Sequence, residues 1–216
     1  MPMSQVIEEA QVALEERGVT IWPCSLPLEA FEAQSIEHHS LNTNRRAENL
    51  SQTDAMTLLR GLWSHPLDVL LCSYFISDWH LLGAQRIFAT DIERPQRFHR
   101  DHHLPAGDVL VLAFTLQQET HLSTQFCLGS HHQHEAKIDA KLLREYPSQS
   151  LESSCVLYDS AIVHAGDKQP EALHPHRFFV TFVSTDVSEE DYRKVGRLNG
   201  IDTPFRLHRR TFLSML

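Results

Sequence analysis

Residues 98–103, "FHRDHH", hold three histidines and one carboxylate in six positions. Imidazole and carboxylate side chains both ligate iron, zinc and manganese. In a chain with 15 histidines such a cluster means little until its geometry and its missing partners are found. Read as an extended segment, "QRFHRDHH" sends alternate side chains to opposite faces, so His99 and Asp101 point the same way. Asp101 and His103 share that face too, and the segment alone leaves both pairs open. A third ligand has to come from elsewhere. "YDSAIVHAGD" offers His164 near the end of a strand, backed by the small residues Ala165 and Gly166.

Two histidines and one carboxylate on one side of a metal leave coordination positions open. That facial arrangement suits non-haem Fe(II) oxygenases, which need open positions for O₂ and a chelating cosubstrate. Zinc can occupy the same ligands, because divalent affinity alone discriminates poorly. An iron centre of this kind needs electrons, and 2-oxoglutarate supplies two by decarboxylating to succinate. Its far carboxylate needs a cation. Arg177 opens the strand "RFFVTF" thirteen positions after His164, and its planar fork matches a carboxylate bidentately. On that strand Phe178 and Phe182 read as core facing helices, while Phe179 shares the face of Arg177.

In chain order, Gln96, His99-Arg100-Asp101, Gly129-Ser130-His131, His164 and Arg177 carry a resemblance. The chain resembles the phytanoyl-CoA dioxygenase family of Fe(II)/2-oxoglutarate oxygenases over residues 84–185. The resemblance implies a double-stranded β-helix, a cupin-like jelly-roll barrel. It implies His99, Asp101 and His164 as iron ligands and Arg177 as the cosubstrate anchor. It adds Thr124, five residues before Gly129, as a second 2-oxoglutarate contact. The implied reaction uses Fe(II), 2-oxoglutarate and O₂ to hydroxylate a small organic metabolite. Relatives that halogenate carry Gly or Ala at the carboxylate position, so Asp101 favours hydroxylation, desaturation or ring formation. His121-Leu122 and Leu128 depart from the family pattern but leave the ligand positions intact. The alternatives are a non-catalytic jelly-roll metal-binding or sensor protein, and a cupin-type zinc or manganese enzyme without cosubstrate. Arg177 and Thr124 argue against both.

The remaining histidines read more plainly. His102 and His103 read as solvated, His131, His132 and His134 as support or surface, and His174 and His176 as loop residues. On a regular strand Arg97 rather than Gln96 shares the face of His99, which leaves Gln96 outside the site.

The elements that must position these residues follow from patterning. The expectation is a single domain over 1–216. Residues 1–83 would be mostly helical support and lid, 84–185 the jelly-roll core, and 186–216 a helical tail. The fold class is mainly β with flanking α, its N-terminal helices packed on one face. Ser4 can cap a first helix with Ile7, Ala10 and Leu14 on one face, and Gly18 can stop it. "VTIW" reads as a strand. Residues 28–83 have a roughly helical period and predict two or three helices, with a mobile loop over 42–54. From residue 84 the texture changes to short β-rich runs, "AQRIFATD", "GDVLVLAFTLQQ", "STQFCL", "SSCVLYDSAIVHAG" and "HRFFVTFVST", which predict an antiparallel barrel or sandwich.

A formal net charge of −9 lowers any general attraction to nucleic acid. The basic run "RLHRR" reads as the solvated face of a terminal helix. No segment reads as a secretory leader or a membrane span. The four cysteines are far apart with no C-x-x-C pair, which fits free thiols in a reducing compartment and a cytoplasmic protein. The partner expected is a small-molecule substrate, with no nucleic acid and no membrane, for a monomer or homodimer.

Overall fold

The centre of the molecule is strand β10, whose two faces are buried against different layers. The computed structural model describes residues 2–23, 35–42, 45–89, 96–101, 104–115, 123–133, 139–147, 154–166, 176–191, 193 and 206–216. Within them β10 (His176–Ser184) pairs antiparallel with β4 (Trp79–Ala89) on one side and β5 (Val109–Thr115) on the other. The sheet continues through β8 (Ser154–Asp159) to β1 (Val19–Pro23). On the other side it continues through β3 (Arg45–Leu50) to β2 (Ser35–Asn42). A second sheet has the order β7 (Leu143–Pro147), β6 (Ser123–Cys127), β9 (His164–Gly166). A two-residue β11 (Leu207–His208) pairs with β4.

Period-two alternation along β10 sorts its side chains. Phe178, Val180 and Phe182 join the large core formed with the helices. Phe179 packs against a second cluster of Val111, Ala113, Phe126, Val156 and Tyr158, drawn from β5, β6 and β8. The second cluster lies between the two sheets and makes the barrel interior. The fold is thus mainly β with flanking helices in a jelly-roll-like arrangement, as expected.

Helices cover the outer face. α1 (Met3–Arg17) buries Ala10 and Leu14 and ends at Gly18, whose φ of 79° is the left-handed conformation glycine adopts without strain. A side chain at Gly18 would also meet His131 Nδ1 at 2.7 Å. Pro2, not Ser4, occupies the N-cap, and no side chain caps this end. α2 (Gln52–Leu62) begins at Ser51, whose hydroxyl accepts from Asp54 N–H; α3 (His65–Phe75) begins at Ser64, which accepts from Leu67 N–H. The apolar run "LDVLLCSYFI" supplies most of α3. α4 (Arg209–Met215) inserts Phe212 against Trp63 and Trp79 at ring distances of 4.5 and 5.6 Å.

Two expectations are corrected here, and one strand is added. Residues 35–42 and 45–50 form strands β2 and β3 rather than helix and mobile loop. The polar side chains are accommodated by cross-strand pairing: Glu48 stands opposite Arg86 and accepts from its Nε at 3.1 Å, while Asn49 faces Gln85 and accepts at 2.9 Å. β7 lies in a stretch whose polar residues gave no strand signal. The run "RLHRR" is not simply a solvated face, because Arg209 makes a bidentate pair with the buried Asp68 at 2.7 and 2.6 Å. No helix among the described residues is long and apolar enough to cross a membrane.

Candidate metal centre

His99 is held by the strand that carries His164. The two residues form an isolated antiparallel bridge, with His99 N–H donating to His164 O and His164 N–H to His99 O, both at 2.9 Å. β9 pairs in turn with β6, so the bridge is anchored in the smaller sheet. Asp101, two residues beyond His99, turns its carboxylate into the same space. One ligand atom from each of His99, Asp101 and His164 lies within 4.8 Å of the others. Asp101 Oδ1 is 3.7 Å from His99 Nε2 and 3.5 Å from His164 Nε2.

The ring orientations suit a metal. His99 Nδ1 lies 2.9 Å from Arg97 O and His164 Nδ1 lies 3.0 Å from Ile162 O. A carbonyl accepts only, so each Nδ1 donates to it, and each Nε2 is left facing Asp101. Burial lowers the His164 pKa against the opposing pull of Asp101, which keeps this ring neutral, the state that ligates. His164 is buried, whereas the His99 side chain is 39% exposed. One side of the cluster therefore faces outward.

Beneath the cluster a pocket runs into the barrel. Arg177 enters from β10 and Thr124 from β6, with Gln96 and Gly166 beside them and Phe126, Val156 and Phe179 forming apolar wall. A side chain at Gly166 would displace these groups, since a Cβ would stand 2.6 Å from Gln96 Oε1 and 3.2 Å from Arg177 Nη1. The structure thus brings all five sequence-selected residues, His99, Asp101, Thr124, His164 and Arg177, to one cavity and its rim.

Two polar pocket residues lie outside the five selected from sequence: Gln96, which strand alternation set aside, and Tyr158. Gln96 N–H donates to Gly166 O at 2.8 Å and Gln96 Oε1 accepts from Gly166 N–H at 2.9 Å. Residues 96–101 pair with β9 at single points rather than as a regular ladder, so face alternation misplaces Gln96. Tyr158 lines the same cavity and directs its hydroxyl to Asp101 Oδ2 at 3.4 Å. The V-x-Y alternation of Val156 and Tyr158 on β8 was the available signal for it.

The Gly-Ser-His segment braces both ligand-bearing stretches. Ser130 Oγ accepts from Val163 N–H at 2.8 Å, immediately before His164. Arg100, between His99 and Asp101, donates to Ser130 O and Gln133 O at 2.7 and 2.6 Å. His131 and His132 place Nε2 at 3.1 and 2.7 Å from Glu15 O, at the end of α1. They serve as supports, and His99, Asp101 and His164 are the single metal-competent group among the described residues. His102, His103, His121, His134 and His174, and the side chain of His176, lie outside them.

No protein-family model and no curated protein sequence matches the chain. Solved structures do. AviO1 from Streptomyces viridochromogenes Tue57 superposes with a TM-score of 0.61 at 12% identity, covering 84% of this chain and 96% of that one. The epimerase SnoN, solved with Fe3+, alpha ketoglutarate and nogalamycin RO, gives a TM-score of 0.61 at 13% identity and covers 84% of each chain. HygX from Streptomyces hygroscopicus, solved with nickel and 2-oxoglutarate, gives 0.61 at 12% identity, over 84% of this chain and 88% of that one. At such identities the likeness is one of fold: the chain shares the architecture of these three proteins, of which SnoN and HygX were solved with a metal and the 2-oxo acid bound.

Proposed function

We propose that this protein is an Fe(II)- and 2-oxoglutarate-dependent oxygenase that hydroxylates a small organic metabolite. The observation that carries the reading is the convergence of His99 Nε2, Asp101 Oδ1 and His164 Nε2 above a pocket lined by Arg177. The donor set fits iron, since both Nδ1 protons are committed to carbonyls and both Nε2 atoms face a carboxylate. When bound, iron with 2-oxoglutarate supplies O₂ activation, the cosubstrate losing CO₂ to become succinate.

The chain's own residues bind, orient and shelter. Arg177 receives the distal carboxylate of 2-oxoglutarate as a bidentate fork, and Thr124 offers a hydroxyl beside it. Phe126, Val156 and Phe179 keep water from the cosubstrate. The exposed flank of His99 gives the substrate its approach. SnoN and the similar SnoK are named as an epimerase and a carbocyclase, so this architecture hosts several outcomes. Asp101 favours hydroxylation over halogenation here, because it fills the position a halide would need.

The test is a metabolite panel with the Fe(II)-loaded protein, scored by substrate-stimulated succinate release and by one added oxygen atom in the product. Succinate without an oxygenated product would replace hydroxylation by another outcome. No succinate with any candidate, and none without substrate, would count against the reading as a whole.

A further inference from the structure

A carboxylate can hold a metal through one oxygen or two, and at this site the choice matters. A second Asp101 oxygen on the metal would take a position that the cosubstrate needs. The structure separates the two oxygens. Oδ1 faces both imidazoles, at 3.5 and 3.7 Å from their Nε2 atoms, while Oδ2 faces the Tyr158 hydroxyl at 3.4 Å.

Tyr158 is well placed to keep them apart. Its backbone lies in β8, paired on one side with Val19 and on the other with Val111. The residue is 3% exposed. Its ring packs against Phe126 at 5.2 Å and His164 at 5.3 Å. A phenol so confined has little rotational freedom, and Asp101 is the acceptor its hydroxyl reaches. The contact is longer than an ordinary O–H···O bond, which makes it a directional restraint rather than a strong anchor.

We infer that Tyr158 is a positioning residue that holds Asp101 to one-oxygen ligation and so keeps a coordination position open for 2-oxoglutarate. The inference rests on the iron and 2-oxoglutarate reading above. Tyr158→Phe keeps the ring and its packing and removes only the hydroxyl.

The experiment compares the full chain and Tyr158→Phe, both loaded anaerobically with Mn(II). Metal-bound waters are counted from the broadening of the Mn(II) resonance in ¹⁷O-enriched water, and 2-oxoglutarate affinity is measured by calorimetry. The expected result is similar Mn(II) affinity, one exchangeable water fewer in Tyr158→Phe, and 2-oxoglutarate binding weaker by about tenfold, equivalent to about 1.4 kcal/mol. Equal water counts with equal 2-oxoglutarate affinity would overturn the role of Tyr158. Failure of the wild-type protein to bind Mn(II) or 2-oxoglutarate would instead overturn the functional reading on which the inference rests. Should Tyr158→Phe not fold, fluorotyrosine-labelled wild type replaces it. The Tyr158 ¹⁹F resonance must then shift on Zn(II) addition, and an unmoved resonance overturns the inference.

Discussion

His99, Asp101 and His164 are proposed to hold iron together, each candidate ligand depending on the others. Replacing any one by alanine is expected to abolish turnover and iron retention while leaving the fold intact, because two ligands bind iron poorly. Iron content and circular dichroism check this, and one variant with near-normal iron and activity would contradict it. His103→Ala should keep its iron, since it belongs to the competing pair left open by the sequence. Arg177→Lys keeps the charge and loses the fork, whereas Arg177→Ala loses both. The apparent KM for 2-oxoglutarate should rise from wild type to Lys to Ala, by roughly tenfold for each 1.4 kcal/mol lost. A wild-type KM in Arg177→Ala would make Arg177 a structural residue.

At the residue scale, legibility followed chemistry. The three candidate ligands and Arg177 stood out because their types and order are uncommon together. Gln96 was noticed but set aside on strand alternation, since its place depends on single-point pairing to Gly166 that no periodicity encodes. Tyr158 did not stand out, since an aromatic in an alternating strand reads first as core, which it also is.

At the scale of elements, the Gly129–Ser130–His131 turn decides how well the ligands are held. Ser130 is fully buried, and its hydroxyl takes the Val163 N–H next to His164. Ser130→Ala leaves that N–H without this acceptor, at a cost of about 1–3 kcal/mol. We expect a lowered melting temperature together with weaker iron binding. A melting temperature and iron affinity both equal to wild type would show that the brace is dispensable. The elements from residue 84 onward were largely readable, because short, near-continuous apolar runs such as that of β5 mark strands buried on two faces. The β2–β3 pair was not. Its polar residues imitate a helical surface, and only the opposing residues of β4, Gln85 and Arg86, reveal why they belong in a sheet.

At the scale of the whole molecule, the helical layer is locked to the sheet by polar contacts far from the pocket. Asp68 on α3 holds Arg209 at the start of α4, and Arg206 Nη2 lies 2.8 Å from His80 Nε2 on β4. Burial first, and then Arg206 and His208, bring the His80 pKa down from its ordinary 6.5 to about 4, against the pull of Asp78. Between these values the unfolded chain takes up the proton and the folded chain resists it, so this contribution to stability is present above pH 6.5 and is lost as pH falls to about 4. The melting temperature should therefore decline over that interval in wild type and decline less in His80→Leu. Identical slopes would remove His80 from the acid sensitivity of the fold. Such long-range locks were invisible in the sequence, where "RLHRR" showed only its charge.

The central claim is that iron and 2-oxoglutarate meet at His99, Asp101, His164 and Arg177. Its most direct measurement is the visible spectrum of the anaerobic protein with Fe(II) and 2-oxoglutarate. The expected result is the weak metal-to-ligand charge-transfer band of a chelated 2-oxo acid, absent in Asp101→Ala and in His164→Ala. A wild-type protein that shows no band at saturating Fe(II) and 2-oxoglutarate, or a band that survives both substitutions, would contradict the account.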